Sequence, residues 1–591
     1  MEGSKILRPQ ADLIFFHAPS VYDFRENSIL YGPVSDLVPS GPIFEMYPIG
    51  LTTIQEYLKR YGYSVRIINI ALKMLKNPKF NPEKLIAELN PKAFGIDLHW
   101  LPHCHGSLEI AKLVKKYHPN TPVIFGGLSS SYFHRDLVQY NQVDYVLRGD
   151  TTEEPLRQLM DCITQNKEPK DVPNLTWQKD GQVIENPFSH VPVDIDDICI
   201  DYRQVFKAVV RYMDLEGHLP FANWMEYPIT AVMTCRGCNH PCVICGGSAY
   251  SFKHFYNRPK TAYRSPEKVA ADIKNIAKTT RGPIFVLGDL RHAGDNFADK
   301  ILELCKPMKI KNQMAFELFT PAGPDYFKKL NETFKHYSIE MSIESHDEKV
   351  RKASGKYYNN QEIEETIDAA LSNGCERFDV FFLTGLPKQT LESAVETVDY
   401  CDLMYKRFNN DKRLLFFISP VGPFLDPGSA AFEHPEKHGY KILFKDLESH
   451  RQSLLQPSWK YTLNYETKWM DRNQLVEATY QAALGLNDLK RKCGVIKKDI
   501  ADRTEKRIEQ AMELMSVIDE IMAIKDTATR EVVLKELKEK VKGSSISTVC
   551  EKKELEWPVK RAYNFRITGI LKTILRPSAK AKEAKKELTG V

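Results

Sequence analysis

The run Thr234-Cys235-Arg236-Gly237-Cys238-Asn239-His240-Pro241-Cys242-Val243-Ile244-Cys245-Gly246-Gly247 decides how this chain is read. Four of its 12 cysteines fall between positions 235 and 245, and Cys238, Cys242 and Cys245 stand in the order Cys-x3-Cys-x2-Cys. Just upstream, Ile229-Thr230-Ala231-Val232-Met233 reads as a short buried strand, so the cysteines occupy the loop leaving a strand's C-terminal end. Thiolates at such spacings can converge on one metal or one cluster. A structural zinc asks for four ligands; Cys235 is available as the fourth, but no second Cys/His pair follows at finger-like distance. Four-cysteine ferredoxin spacing is also absent. Three cysteines leave one iron of a [4Fe–4S] cluster without a protein ligand, and an open position means chemistry.

Toward the N-terminus, short apolar runs alternate with helical patterns. Strands are expected at Leu13–Phe16, Val65–Ile68, Ala93–Ile96, Pro122–Phe125 and Val143–Leu147, with helices near 48–60, 82–90, 106–117 and 152–164. That alternation predicts a parallel, doubly wound sheet. Such sheets bind ligands at the C-terminal strand ends, at the switch point of strand order. Gly126-Gly127-Leu128-Ser129-Ser130-Ser131 follows the fourth strand. Its glycines permit close backbone approach, and its serines offer hydroxyls. Residues 173–184 read as a hairpin turning at Asp180-Gly181, and Asp194-Ile195-Asp196-Asp197 as a solvated linker.

Beyond the cysteines, Ser265-Pro266-Glu267 is a helix start. Strands follow at Ile284–Leu287, Met314–Phe319, Ser338–Ile343, Phe378–Leu383 and Leu414–Ile418. Counted from Ile229 there are six, the complement of a partial (β/α)6 barrel. Barrel sites lie at C-terminal strand ends, which selects Asp289, Glu344 and Gly385 beside the cysteine loop. The turn-rich Pro423–Tyr440 is expected to close the barrel mouth, and 471–491 and 503–542 are helical by period and charge. Ile567, Ile570, Leu571, Ile574 and Leu575 share a helical face near Arg566, Lys572 and Arg576. This stripe at 562–576 either docks on its own protein or lies on an anionic membrane surface.

The three-cysteine loop after a first barrel strand resembles the radical S-adenosylmethionine (radical SAM) superfamily. Ile244 stands where many members have an aromatic residue. Phe125-Gly126-Gly127-Leu128-Ser129-Ser130-Ser131-Tyr132-Phe133, followed by Val143 to Leu159, resembles the cobalamin-binding domain that precedes many such barrels. No Asp-x-His-x-x-Gly loop follows Phe16, so the histidine that mutase-type domains give to cobalt has no counterpart there. Gly288-Asp289 resembles the Gly-Gly-Glu element of radical SAM barrels, lacking its first glycine and carrying Asp for Glu. Ser342-Ile343-Glu344-Ser345 and Leu383 to Thr390 are similar to the ends of the fourth and fifth strands in cobalamin-type members.

The resemblance implies an α/β chain in four parts: a cobalamin-binding domain over 1–168, a linker over 169–222, a radical SAM barrel over 223–430 and a helical C-terminal domain over 431–591 with a frayed tail. By the same resemblance a [4Fe–4S] cluster sits on Cys238, Cys242 and Cys245. S-adenosylmethionine is bound by Gly288, Asp289, Ser342, Glu344 and Gly385, with Glu344 the one catalytic candidate. Cobalamin lies against Gly126, Gly127, Ser129 and Ser130, with His99, Trp100, His103 and His105 near its lower face. Implied chemistry is reductive cleavage of S-adenosylmethionine and methyl transfer to an unactivated carbon, served by a reductant protein of flavodoxin or ferredoxin type. Three alternatives stand beside it: a radical SAM cyclase or rearrangement enzyme, a member without cobalamin, and a non-catalytic metal-stabilised interaction protein.

Composition bounds these readings. The chain has 591 residues, 42% hydrophobic and 27% charged, as an ordinary soluble multidomain protein does. A formal net charge of +5 implies no polyanion partner, so nucleic acid is not expected. No apolar run reaches bilayer-spanning length; the nearest, Leu414 to Leu425, is broken by Pro420 and Pro423. Met1-Glu2-Gly3-Ser4-Lys5 lacks the apolar core of a signal peptide. Unevenly spaced cysteines do not read as a disulfide framework, and a reducing cytoplasm is the expected setting.

Overall fold

Seven strands form the first sheet. In the computed structural model, which describes residues 10–26, 43–541, 549–559 and 565, five of them run parallel: β1 (Leu13–His17), β2 (Val65–Asn69), β3 (Ala93–Asp97), β4 (Val123–Gly126) and β5 (Tyr145–Leu147). Their order is β2-β1-β3-β4-β5, which reverses between β1 and β3 and opens a crevice at the C-terminal ends there. Helices Gly50–Arg60, Cys104–Tyr117 and Glu153–Thr164 turn apolar faces toward this sheet, and β1, β2 and β3 are buried throughout, as strands covered on both faces must be. The hairpin expected in the linker extends the sheet instead. Its strand β6 (Leu175–Lys179) pairs antiparallel with β5, and β7 (Gln182–Glu185) pairs with β6. Asp180 (φ 50°) and Gly181 (φ 77°) make the left-handed turn between them.

The second sheet starts at β8 (Thr230–Met233). A two-residue ribbon, β9 (Cys235–Arg236) with β10 (Ala262–Tyr263), carries the start of the cysteine loop. Then come β11 (Ile284–Leu287), β12 (Met314–Leu318), β13 (Tyr337–Glu344), β14 (Arg377–Thr384) and β15 (Leu414–Pro420). The six long strands are all parallel, in the order β8-β11-β12-β13-β14-β15. β8 and β15 do not pair, so this is the partial barrel that the strand count indicates.

An unpaired strand edge leaves backbone polar groups to satisfy. Along β8 the segment 202–224, which leads into the barrel, does so. The Ala231 N–H donates to the Tyr202 hydroxyl at 2.7 Å, and the Trp224 indole donates to the Ile229 carbonyl at 2.9 Å. The acidic stretch is not a solvated linker either, because Ile195, Ile198 and Ile200 are buried in the barrel's core and Asp196 accepts from the Ser265 N–H at 2.6 Å.

After the barrel, a small antiparallel pair, β16 (Tyr440–Ile442) and β17 (Tyr465–Thr467), interrupts the helical region. Helix Arg472–Lys492, capped by Asp471 and Gln474, packs on β14 and β15. Helices Lys498–Met522 and Thr527–Val541 follow. Residues 549–559 then run under the barrel's N-terminal end. Arg377 donates to the Glu556 carbonyl at 2.7 Å, Lys490 pairs with Glu554 at 3.0 Å, and the Trp557 ring lies 5.4 Å from that of Phe285. Of the amphipathic stripe at 562–576, only Phe565 is described; its ring sits 5.5 Å from Trp224, and the rest of the stripe lies outside the described residues. Among the described residues, no helix is long and apolar enough to cross a membrane.

Candidate active site between two parallel sheets

Both sheets direct their C-terminal strand ends into one cavity of about 1560 Å³. From the first sheet it is lined by Asp97, His99, Trp100, Gly126, Gly127 and Glu153, and from the barrel by Cys235, Arg236, Cys238, Cys242, Cys245, Gly288, Glu317, Ser342, Glu344 and Lys356. Parallel strands present unpaired N–H groups and loop side chains at these ends, which is why ligands bind there.

The cysteine loop hangs from β8. Two of its backbone N–H groups turn back on their own thiols: His240 donates to Cys238 Sγ at 3.4 Å and Gly247 to Cys245 Sγ at 3.3 Å. Burial raises all three thiol pKa values, and the Lys356 ammonium offsets this only in part at Cys238 and Cys242. Among the described residues, no three His, Cys, Asp or Glu side chains close around a single ion. A lone zinc needs such closure, whereas a four-iron cluster takes one thiolate per iron. Cys235, on β9, also faces the cavity, its thiol pushed up to about 11 by burial.

On the opposite wall Gly126 and Gly127 differ in role. A Cβ on Gly126 meets nothing within 4 Å and points into open space at the cavity wall. At Gly127 (φ 115°) it would stand 2.6 Å from the His99 Cα and 2.8 Å from the Leu98 carbonyl carbon, so this glycine lets β4's exit pass β3's exit. The serines serve the same crossing. Ser129 donates to the His99 carbonyl at 3.1 Å and Ser130 to that of Gly126 at 3.1 Å, and neither side chain reaches the cavity. Ser129 and Ser130 are therefore backbone clamps, where the sequence suggested ligand contacts. His99 and Trp100 do line the cavity, and burial lowers the His99 imidazole to about 4. His103 and His105 turn away, to the Ala18 carbonyl and the Tyr22 N–H.

In the barrel, two of the five residues assigned to S-adenosylmethionine are placed elsewhere. Asp289 caps its own turn and grips Arg291: one carboxylate oxygen accepts from the Arg291 N–H at 2.9 Å, and the other from the Arg291 guanidinium at 2.6 Å and the Phe319 N–H at 3.1 Å. It is 3% exposed and outside the cavity lining. Gly385 is covered by Tyr440, whose hydroxyl donates to its carbonyl at 2.8 Å, and does not line the cavity. Gly288, Ser342 and Glu344 do line it.

Several cavity residues had not been singled out from the sequence. Glu317 accepts the Gly288 N–H at 2.6 Å, and burial holds its carboxyl up at about 7. Lys356 pairs with Glu344 at 3.0 Å and donates to the Ser342 carbonyl. Burial alone would lower this ammonium, but Glu344, Tyr358 and Cys242 together outweigh it and keep the pKa above its ordinary value. Glu344 itself sits at φ 68°, beside a register shift in β13, with its second oxygen buried and unpartnered. Asp426 accepts the Gly246 N–H at 2.9 Å next to Cys245, and burial raises it to about 6. One signal was available: Glu317 is a lone acid inside the apolar run Met314–Leu318.

Family models match both halves of this site. The Radical SAM superfamily model covers residues 232–401 and the B12 binding domain model covers residues 43–158. The chain thus carries a radical SAM domain and a B12 binding domain. Its cofactors are a [4Fe–4S] cluster, S-adenosylmethionine and cobalamin. A curated relative, the hopanoid C-3 methylase of Methylococcus capsulatus, is 23% identical over 49% of this chain, and the match spans about half of that relative, 54% of its length. The cytidylyl-2-hydroxyethylphosphonate methyltransferase of Streptomyces wedmorensis is 22% identical over 63% of this chain and 77% of its own. Two solved structures share the fold. The radical S-adenosylmethionine methyltransferase TsrM from Kitasatospora setae, with cobalamin and a [4Fe–4S] cluster bound, has a TM-score of 0.58 at 14% identity, over 84% of this chain and 90% of that one. The cobalamin-dependent radical enzyme OxsB has a TM-score of 0.56 at 11% identity, over 98% and 82%.

The residues present suit the family's cofactors. The cysteine loop offers three thiols that line the cavity, two with backbone N–H donors, and Gly126 leaves a side-chain-free wall opposite. A valine at Gly126 is expected to lower cobalamin content of reconstituted protein at least about tenfold while iron content and melting temperature stay near the parent's. Valine at Gly127 instead lowers the melting temperature, because it collides with backbone. Asp289→Asn is expected to destabilise the protein by roughly 2–3 kcal/mol, as loss of a buried, multiply bonded partner of Arg291 does. Calorimetric titration of S-adenosylmethionine should find its affinity within about twofold of the parent's.

Proposed function

We propose that this protein is a cobalamin-dependent radical SAM methyltransferase that cleaves S-adenosylmethionine reductively and methylates an unactivated carbon of its substrate. The observation that carries the reading is the single cavity shared by the cysteine loop and the glycine wall of the first sheet. Supporting it, the curated relatives bear the names of methylating enzymes. When bound, these cofactors supply a hydrogen-abstracting radical and a transferable methyl group.

The chain's own residues hold and shield that chemistry. Glu317, which accepts the Gly288 N–H, takes the ammonium group of the ligand. The Lys356–Glu344 pair offers one cation and one unpartnered carboxylate oxygen to the polar end of the same ligand. His99, kept neutral by burial, and Trp100 provide an uncharged surface toward a flat macrocycle. Trp557 and Leu555 shut the far end of the barrel, which keeps water from a radical. The electron supply is a reductant protein of flavodoxin or ferredoxin type in a reducing cytoplasm.

Cells with and without the protein, grown on methionine with a deuterated methyl group, test this reading. Mass spectrometry of their extracts should reveal a metabolite present only with the protein and carrying the intact label on carbon. A protein-dependent product isomeric with its precursor and free of label would replace methyl transfer by cyclisation or rearrangement.

A further inference from the structure

The cysteine loop does not merely face the first sheet; it is pinned to it at the segment that follows β5. Arg236, between Cys235 and Gly237, reaches across the cavity to Glu153, its Nη2 2.7 Å from Glu153 Oε1. Thr53, on the helix Gly50–Arg60, donates to the same oxygen at 2.7 Å. Glu153 is 2% exposed, and its other oxygen, Oε2, is buried with no partner. Three and two residues before Glu153, Asp150 and Thr151 receive Arg258: Asp150 Oδ1 at 3.0 Å and Thr151 Oγ1 at 3.1 Å. A Cβ on Gly237 would lie 2.8 Å from Arg258 Cδ, so the cysteine loop passes directly over that arginine.

A buried carboxylate with one oxygen unsatisfied depends on its single cation, and removing that cation leaves an uncompensated charge. Arg236 therefore cannot leave Glu153 without cost, and a shift of Gly149–Glu153 has to move the cysteine loop with it. Gly149, Asp150, Thr152 and Glu153 all line the cavity on the side of the glycine wall.

We propose that Glu153 and Arg236 are positioning residues that couple occupancy of the cobalamin side to assembly and geometry of the cluster loop, so that each cofactor binds more tightly when the other is present. The inference rests on the cofactor assignment above, and linkage makes the coupling reciprocal. Neither residue touches the reacting atoms.

The test uses full-length protein under anaerobic conditions, with hydroxocobalamin as the probe, titrated into cluster-loaded and cluster-free samples. The parent should bind it at least about fivefold more tightly with the cluster in place. In Glu153→Gln that ratio should fall to about one, at unchanged iron content. Because only one guanidinium nitrogen makes the short contact, Arg236→Lys should restore the charge and keep an intermediate ratio, whereas Arg236→Gln should not. The electron paramagnetic resonance spectrum of the reduced cluster should shift on adding hydroxocobalamin to the parent and stay unchanged in Glu153→Gln. Should Glu153→Gln lose iron as well, the two Arg236 variants decide. A parent ratio near one, or variants that keep the parent's ratio, overturns the coupling while leaving the cofactor assignment intact. A parent that binds no hydroxocobalamin overturns both.

Discussion

Two buried arginine–carboxylate contacts, Arg236 with Glu153 and Arg258 with Asp150, hold the mouth of the barrel against the ligand-binding end of the first sheet. The remainder of the site depends on them. Ion pairs out of water contribute little net stability, since desolvation offsets most of their attraction, but they are strict about geometry. Both arginines belong to the barrel and both acids to the segment leaving β5. The cavity between the sheets has a fixed span because these contacts fix it.

The electrostatics of that cavity follow from its enclosure. Glu317 and Asp426 open onto it but are otherwise surrounded by protein, and burial raises both. A cationic ligand placed among them lowers the cost of their ionisation, so their pKa values belong to a site shaped for such a ligand. Glu344 adds backbone strain: a non-glycine residue at φ 68° persists only where its surroundings over-determine it, and here Lys356 and the irregular register of β13 do so.

Much of this architecture was legible in the sequence. Each apolar run read as a parallel strand is one, and the parallel direction of the first sheet's strands follows from alternation with helices, whereas their order does not. The three cysteines, Gly126, His99, Gly288 and Glu344 reach the cavity because strand ends were the right place to look. What failed did so for definable reasons. The pattern makes Ser129 and Ser130 ligand donors, but a hydroxyl one helical turn from a strand exit is equally placed to clamp a neighbouring carbonyl. Asp289 matched a motif position, yet an arginine two residues later and an Asp at a turn's start make a cap the nearer partner. The floor built by 549–559 was invisible, since nothing local in Glu554-Leu555-Glu556-Trp557 marks which distant strands it will cover.

The central claim is that cluster and corrin share one cavity, and spin–spin interaction measures that most directly. Protein loaded with both cofactors and reduced to make each paramagnetic should give an electron paramagnetic resonance spectrum that departs from the sum of the singly loaded samples, with splitting or accelerated relaxation in both signals. A spectrum equal to that sum, from protein shown to hold both cofactors, would place them apart and contradict the account.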